Sequence, residues 1–182
     1  INHPSLRASK DPGGDANDVF GMQIDYHDDD YERSSGTNVV SSQQGQDRFD
    51  ENIKGIRWAT KTVDANPNSS HSAFLYQYNK NNWLAAADFG SAVNSGNITL
   101  NAQGNYAVNN LSYDANGNLL SLTRNKDNST GSNLMDDFSY HYTSGTNRLS
   151  HIDDAVSASL TDDLDDQAAG NYEYNSIGQL VK

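Results

Sequence analysis

The eleven residues from Tyr113 to Thr123 constrain this chain more than any other stretch. An aromatic residue suited to ending a strand precedes Asp114, Ala115, Asn116, Gly117 and Asn118. Leu119, Leu120 and Leu122 then lead to β-branched Thr123. Such a string predicts a hairpin. Asp114 can accept a backbone N–H two residues on, and Gly117 and Asn118 are residue types that reach positive φ at least cost.

The phrase returns with drift. Tyr174-Asn175-Ser176-Ile177-Gly178-Gln179-Leu180-Val181 keeps the aromatic, the Asn, the Gly four residues later and two apolar residues. Tyr78-Asn79-Lys80-Asn81-Asn82-Trp83-Leu84 puts Asn82 where Gly is expected, and Asn tolerates the left-handed region best among non-glycine residues. In Tyr142-Thr143-Ser144-Gly145-Thr146-Asn147-Arg148-Leu149 the acid is lost and the Gly has moved by one place. The four tyrosines are 35 (78 to 113), 29 (113 to 142) and 32 (142 to 174) residues apart, a spacing in the range of repeat architectures.

The Tyr-Asp-x-x-Gly-Asn-Leu-Leu core at Tyr113 to Leu120, its copies at Tyr78, Tyr142 and Tyr174, and alternating strands such as Phe138, Tyr140, Tyr142 resemble the bacterial RHS/YD-repeat family. The segments Asp18 to Tyr26 and Phe49 to Trp58 look like less regular units of large RHS proteins, so the resemblance covers most of the chain. It implies an all-β fold of repeated antiparallel hairpins with long polar loops, forming part of a spiralling sheet or shell. Residues 1–18 are then irregular, 19–64 degenerate repeat units, and 72–182 four hairpins of which the last is truncated. The family shell typically encloses a C-terminal toxin or supports a secreted or surface effector, which implies a secreted or cell-surface bacterial location. The family's self-cleavage segment, rich in Asp, Pro and Gly, is not visible here.

Composition limits the alternatives. Hydrophobic residues make up 35% of the 182, and mean hydropathy is −0.80, so a deep core is not expected. Ten tyrosines partly compensate, covering apolar area with their rings while keeping hydroxyls wet. With 24 acidic and 12 basic residues the net charge is −12, which argues against nucleic-acid binding. No stretch has the apolar length of a membrane-spanning helix, and the absence of Cys removes disulfides, thiolate nucleophiles and Cys-based zinc sites. The start at Ile1 without a Met, and the stop at Lys182 shortly after the last turn, read as an internal piece of a longer chain.

Taken in order, residues 1–18 with Pro4, Pro12, Gly13 and Gly14 read as coil. Met22, Ile24 and Tyr26 alternate with polar neighbours as a half-buried strand. Residues 32–47 are a polar loop, and 53–61 a strand with Ile56 and Trp58 on one face. A turn around Pro67 leads to Phe74, Tyr76 and Tyr78, which pair with 83–89 before 90–96 closes the hairpin. The meander continues through 98–100 and 106–113, broken at Gly104-Asn105. Residues 125–136 form a polar connection, 138–142 pair with 148–152, and 155–166 are a loop rather than a helix because Asp suits only a helix's first turn.

Catalytic and metal chemistry finds little foothold. The histidines at 3, 27, 71, 141 and 151 lack the close spacing of a helix-borne zinc site. His27 beside Asp28 to Asp30 is the best cation candidate, but such an acidic run is usually just a solvated loop. The Asp pairs beginning at 136, 153, 162 and 165 lack EF-hand spacing and read as solubilising surface. No nucleophile elbow, phosphate loop or triad is present, so no enzyme activity, metal or cofactor is expected. The residues that matter are the turn-makers Asp114, Gly117, Asn118, Gly145 and Gly178 and the aromatics Tyr78, Tyr113, Tyr142 and Tyr174, and their role is fold formation. Expected partners are further repeats of the same chain, or a secretion or partner protein completing the sheet edges. The alternative is an extracellular glycan- or protein-binding β-module, with Trp58, Trp83 and the tyrosines stacking on sugars.

Gly117→Val tests the hairpin directly. A β-branched residue at positive φ costs about 1–3 kcal/mol, so chemical denaturation should show a loss of that size, and a midpoint equal to the parent's would refute the turn.

Overall fold

A computed structural model describes residues 20–27, 45–60, 71–92, 98–127, 133–156 and 164–182. The expected coil at 1–18, the acidic run Asp28 to Asp30, the polar stretch 32–44, the turn at 65–70 and residues 157–163 lie outside these. Among the described residues the chain is all-β, with nine antiparallel strands and no helix. It divides into two units, Ile1–Gly104 and Asn105–Lys182.

In the first unit β1 (Phe20–Asp25), β2 (Gly55–Thr60), β3 (His71–Tyr78), β4 (Leu84–Ala92) and β5 (Ile98–Leu100) pair in chain order. Ile24, Ile56, Phe74 and Phe89 lie opposite one another across four strands, so one face carries an apolar row that Met22 and Trp58 extend. Ile56 and Trp58 share that face, as the alternation requires.

Burial is deeper on the other face, contrary to the pattern expected for β1. Met22 and Ile24 are half-buried and Tyr26 is exposed, whereas Gln23 and Asp25 are buried. The reason is a buried ion pair. Arg57 on β2 is fully buried, with Nη2 3.3 Å from Oδ2 of Asp25, and the Gln23 amide donates to Asp25 Oδ1 at 2.6 Å. A buried guanidinium requires a carboxylate beside it, and that requirement overrides the apolar alternation of β1. Lys54, also fully buried, reaches Asp47 Oδ1 at 2.5 Å. Ala73, Leu75 and Ile98 form the small apolar core.

The second unit is a meander of β6 (Val108–Tyr113), β7 (Leu119–Asn125), β8 (Leu134–Tyr142) and β9 (Leu149–Asp154). Leu122 lies opposite Phe138 and Tyr140 opposite Ile152 on its apolar face, where Phe138 and Ile152 are buried. Ser121, Ser139, Asp153, His141 and His151 occupy the polar face. This alternation matches a half-buried sheet.

Three expectations need correction. The connection expected at 125–136 is strand at both ends, at Asn125 and at 134–136, where Arg124 and Asp136 lie opposite each other on β7 and β8 as an ion pair. Asp136 is therefore fully buried and not solubilising surface. Gly90 does not begin the loop after β4 but pairs with Leu100 inside the sheet. A Cβ there would sit 2.5 Å from the Thr99 carbonyl oxygen, so glycine lets β5 approach. The last, truncated repeat makes a single bridge, Tyr174 to Leu180.

Gly90→Ala should accordingly destabilise the chain by about 1–3 kcal/mol through overpacking. Urea denaturation measures this, and an unchanged midpoint would mean that β5 can shift away at no cost.

Candidate functional site

The repeated turn can be followed bond by bond. At the best copy the Asp114 N–H donates to Asn118 O (3.0 Å) and the Gly117 N–H to Asp114 O (3.1 Å), while Gly117 has φ +85°. This is a three-residue hairpin loop, a type I turn followed by a left-handed residue. Oδ1 of Asp114 accepts the N–H groups of Asn116 (2.8 Å) and Asn118 (2.9 Å). Asn118 does not adopt positive φ. Its side-chain amide instead donates to Asp114 Oδ2 at 2.8 Å.

The same bonds recur elsewhere. Asn79 pairs its N–H with Trp83 O, takes the Asn81 and Trp83 N–H groups on Oδ1 at 2.9 and 3.1 Å, and is followed by Asn82 at φ +62°. Asn175 does likewise with Gln179 O and with the N–H groups of Ile177 and Gln179, followed by Gly178 at φ +86°. The copy at Tyr142 is built differently. Thr143 N–H donates to Arg148 O, so its loop is one residue longer, and Gly145 at φ +73° precedes Thr146, whose N–H returns to Thr143 O. With no Asp or Asn at 143, the Thr146 hydroxyl supplies the local bonds, donating to Thr143 O and accepting the Arg148 N–H.

One further copy escaped the sequence search. Asn101 accepts the Gln103 N–H on Oδ1 (2.9 Å) and the Gly104 N–H on its carbonyl (3.0 Å), with Gly104 at φ +66°. Its signal in the sequence is the Asn-x-x-Gly-Asn spacing at Asn101 to Asn105, with Leu100 in place of the aromatic residue that opens the other copies.

Within each unit the turns are tied to their neighbours, and none of these ties was foreseen. Tyr142 Oη donates to Leu119 O (2.9 Å), just past the Asp114 turn, and the Asn118 amide donates to Asn147 Oδ1 (2.9 Å). Arg148 then lies over the Tyr174 ring, 5.7 Å from its centroid. In the first unit Tyr78 Oη donates to Ile53 O (2.8 Å), and Arg48 both covers the Tyr78 ring at 4.8 Å and donates to Asn82 Oδ1 at 2.9 Å. Burial raises the hydroxyl pKa of Tyr78, Tyr113 and Tyr142, so these hydroxyls stay protonated as donors over a wider pH range. Tyr113 itself pairs with Leu119 across the hairpin it opens.

The remaining candidates are dispersed. His27 stacks on Phe49 with centroids 4.9 Å apart, and its acidic neighbours lie outside the described residues. Trp58, Phe74, Tyr76 and Phe89 are half-buried on one face, with Trp58 to Phe74 at 5.9 Å and Phe74 to Phe89 at 5.3 Å. The one group among the described residues placed to hold a metal ion is His141, His151 and Asp153. Ten residues apart in sequence, the two histidines become direct partners when β8 pairs with β9. A search for helical spacing cannot see such a pair, whereas counting outward from the 143–148 turn would have found it. No family model, curated protein or solved structure matches the chain.

The Asn118 amide, more than any other group, holds the Asp114 carboxyl below its ordinary range; partial burial opposes it, and the N–H groups of Asn118, Asn116 and Gly117 add to it. A lowered folded value means that the stabilisation is complete above about pH 4 and is lost as pH falls through the lowered value. Asp114→Asn keeps the Oδ1 acceptor but puts an amide donor where Oδ2 receives the Asn118 amide, so it should melt below the parent at pH 7 and lose less than the parent does as pH falls below about 4. Melting curves from pH 7 to pH 2 check this, and parallel curves would refute it.

Proposed function

We propose that this chain is a structural segment of a β-shell of the RHS/YD-repeat type, built to enclose or present a toxin or effector carried further along a longer secreted or cell-surface bacterial chain. The observation that carries this reading is the recurrence of one turn, with the same backbone and side-chain bonds, at Asn79, Asp114 and Asn175. A chain selected for catalysis has no need to repeat its turns. A container does, because each repeat must present the next with the same surface.

The contacts between turns support the same role. The strand-end tyrosines Tyr78 and Tyr142 each reach a backbone carbonyl beside the start of the strand that pairs with their own, so what they share is docking rather than chemistry. In this reading the turn residues Asp114, Gly117, Asn118, Gly145 and Gly178 and the aromatics Tyr78, Tyr113, Tyr142 and Tyr174 serve folding. The partners are the neighbouring repeats, or a protein that completes the sheet edges. No enzyme activity, cofactor, nucleic acid or membrane insertion forms part of it, and the net charge of −12 agrees with the lack of a nucleic-acid partner.

A second reading, a glycan- or protein-binding β-module, draws on the half-buried aromatic row of Trp58, Phe74, Tyr76 and Phe89. Those rings already stack on one another, which suits cross-strand packing as well as it suits a sugar platform.

Two measurements separate the readings. Intact-mass spectrometry on protein taken from its source should give a mass several-fold above 19.9 kDa, and a glycan array should show no saturable binding. A native mass near 19.9 kDa together with saturable glycan binding would overturn the shell in favour of the module.

A further inference from the structure

The polar face of the second unit carries two histidines and an aspartate whose arrangement neither hairpin formation nor turn docking explains. His141 and His151 lie directly opposite each other on β8 and β9, and Asp153 follows His151 by two residues on the same face. Directly opposed side chains of an antiparallel pair start with Cβ atoms about 4.5–5.5 Å apart. Their imidazoles are nearly parallel, 8° between planes and 4.4 Å between centroids. Asp153 turns one oxygen to each ring. Oδ2 is 2.8 Å from His141 Nε2, and Oδ1 is 3.7 Å from His151 Nε2.

We propose that His141, His151 and Asp153 bind a divalent zinc ion, with water completing the coordination. Three observations carry this. First, one ligand atom from each residue lies within 4.8 Å of the others. Bonds of about 2.0–2.1 Å in tetrahedral geometry hold ligand atoms about 3.3 Å apart, so side-chain rotation closes the gap while the strand pairing stays in place. Second, the His151 Nδ1 is 3.1 Å from Ser150 Oγ. When that nitrogen carries the proton and donates to the hydroxyl, the Nε2 lone pair faces the site, which is how an outer hydrogen bond orients a ligating histidine. Third, the site is reachable. Side-chain exposures of 45%, 18% and 48% for His141, His151 and Asp153 leave room for an ion to enter and for a water to stay.

The donor set selects the ion. Two imidazole nitrogens and one carboxylate oxygen suit zinc and neighbouring transition metals, whereas calcium and magnesium require oxygen ligands that this face does not gather. The ligands come from two adjacent strands joined by the 143–148 turn, so a bound ion would cross-link the β8–β9 hairpin. Zinc would thus add a staple to a unit whose apolar core is small. The site is independent of the shell reading and survives or fails on its own.

Zinc chloride titrated calorimetrically into the 182-residue chain at neutral pH should reveal one saturable site. In parallel NMR spectra the imidazole resonances of His141 and His151 should shift together. His141→Ala and His151→Ala should each weaken binding at least ten-fold, while His27→Ala leaves it unchanged and millimolar magnesium does not compete. Both substitutions are on a polar face, and circular dichroism checks that the variants fold; if one does not, the histidine resonances of the parent decide. Absence of saturable zinc uptake, uptake that leaves both imidazoles unshifted, or uptake that persists in the His141→Ala/His151→Ala double variant would overturn the proposal.

Discussion

A single side-chain oxygen accepting two backbone N–H groups underlies most of this architecture. At Asp114, Asn79 and Asn175 that oxygen gathers donors two and four residues on, leaving the next strand in register to return. A hairpin alone is marginal in water, and a chain with only 35% hydrophobic residues has little apolar area with which to compensate. Local bonds that preorganise the reversal reduce what the core must supply. Asp and Asn both fill this role because each presents a side-chain oxygen in the same place, and the Thr143 copy, which has neither, makes a longer loop with a hydroxyl supplying the local bonds.

Below the turns, the two units are stabilised by different means. The first buries charge. Arg57 with Asp25 occupies a place where an apolar pair would contribute more stability, and losing one partner of such a pair costs more than losing both, whereas the buried Lys54 reaches out to an exposed Asp47. The Arg57–Asp25 pair also favours one register, since a slip of β1 by one residue would take the carboxylate away from a buried guanidinium. The second unit keeps the plain alternation of Phe138, Tyr140 and Ile152 against a polar face, with one buried carboxylate, Asp136, held by Arg124.

This difference explains what the sequence disclosed. Hairpins at 78, 113 and 142 were legible because turn chemistry is local: aromatic, Asp or Asn, then Gly or Asn at fixed offsets. The positive φ at Asn82 was legible for the same reason. In β1 the alternation was read correctly and its direction was not, since which face is deeper depends on Arg57, thirty-odd residues away. The strand content of 134–136 was hidden because Asp136 looks solvated until Arg124 is placed beside it. The candidate zinc ligands were invisible for a topological reason, being neighbours only once two strands pair. The carbonyls that receive the Tyr78 and Tyr142 hydroxyls carry no residue signature at all, because every residue has one.

The docking of a strand-end tyrosine onto a backbone carbonyl beside the start of the neighbouring strand has a consequence for how a chain of such hairpins could grow. A backbone carbonyl is present whatever the side chain, so the acceptor never has to co-evolve with the donor. Duplicating one hairpin therefore supplies both halves of the joint at once, and removing one lets the flanking pair rejoin. Growth by copying thus asks nothing of the existing units.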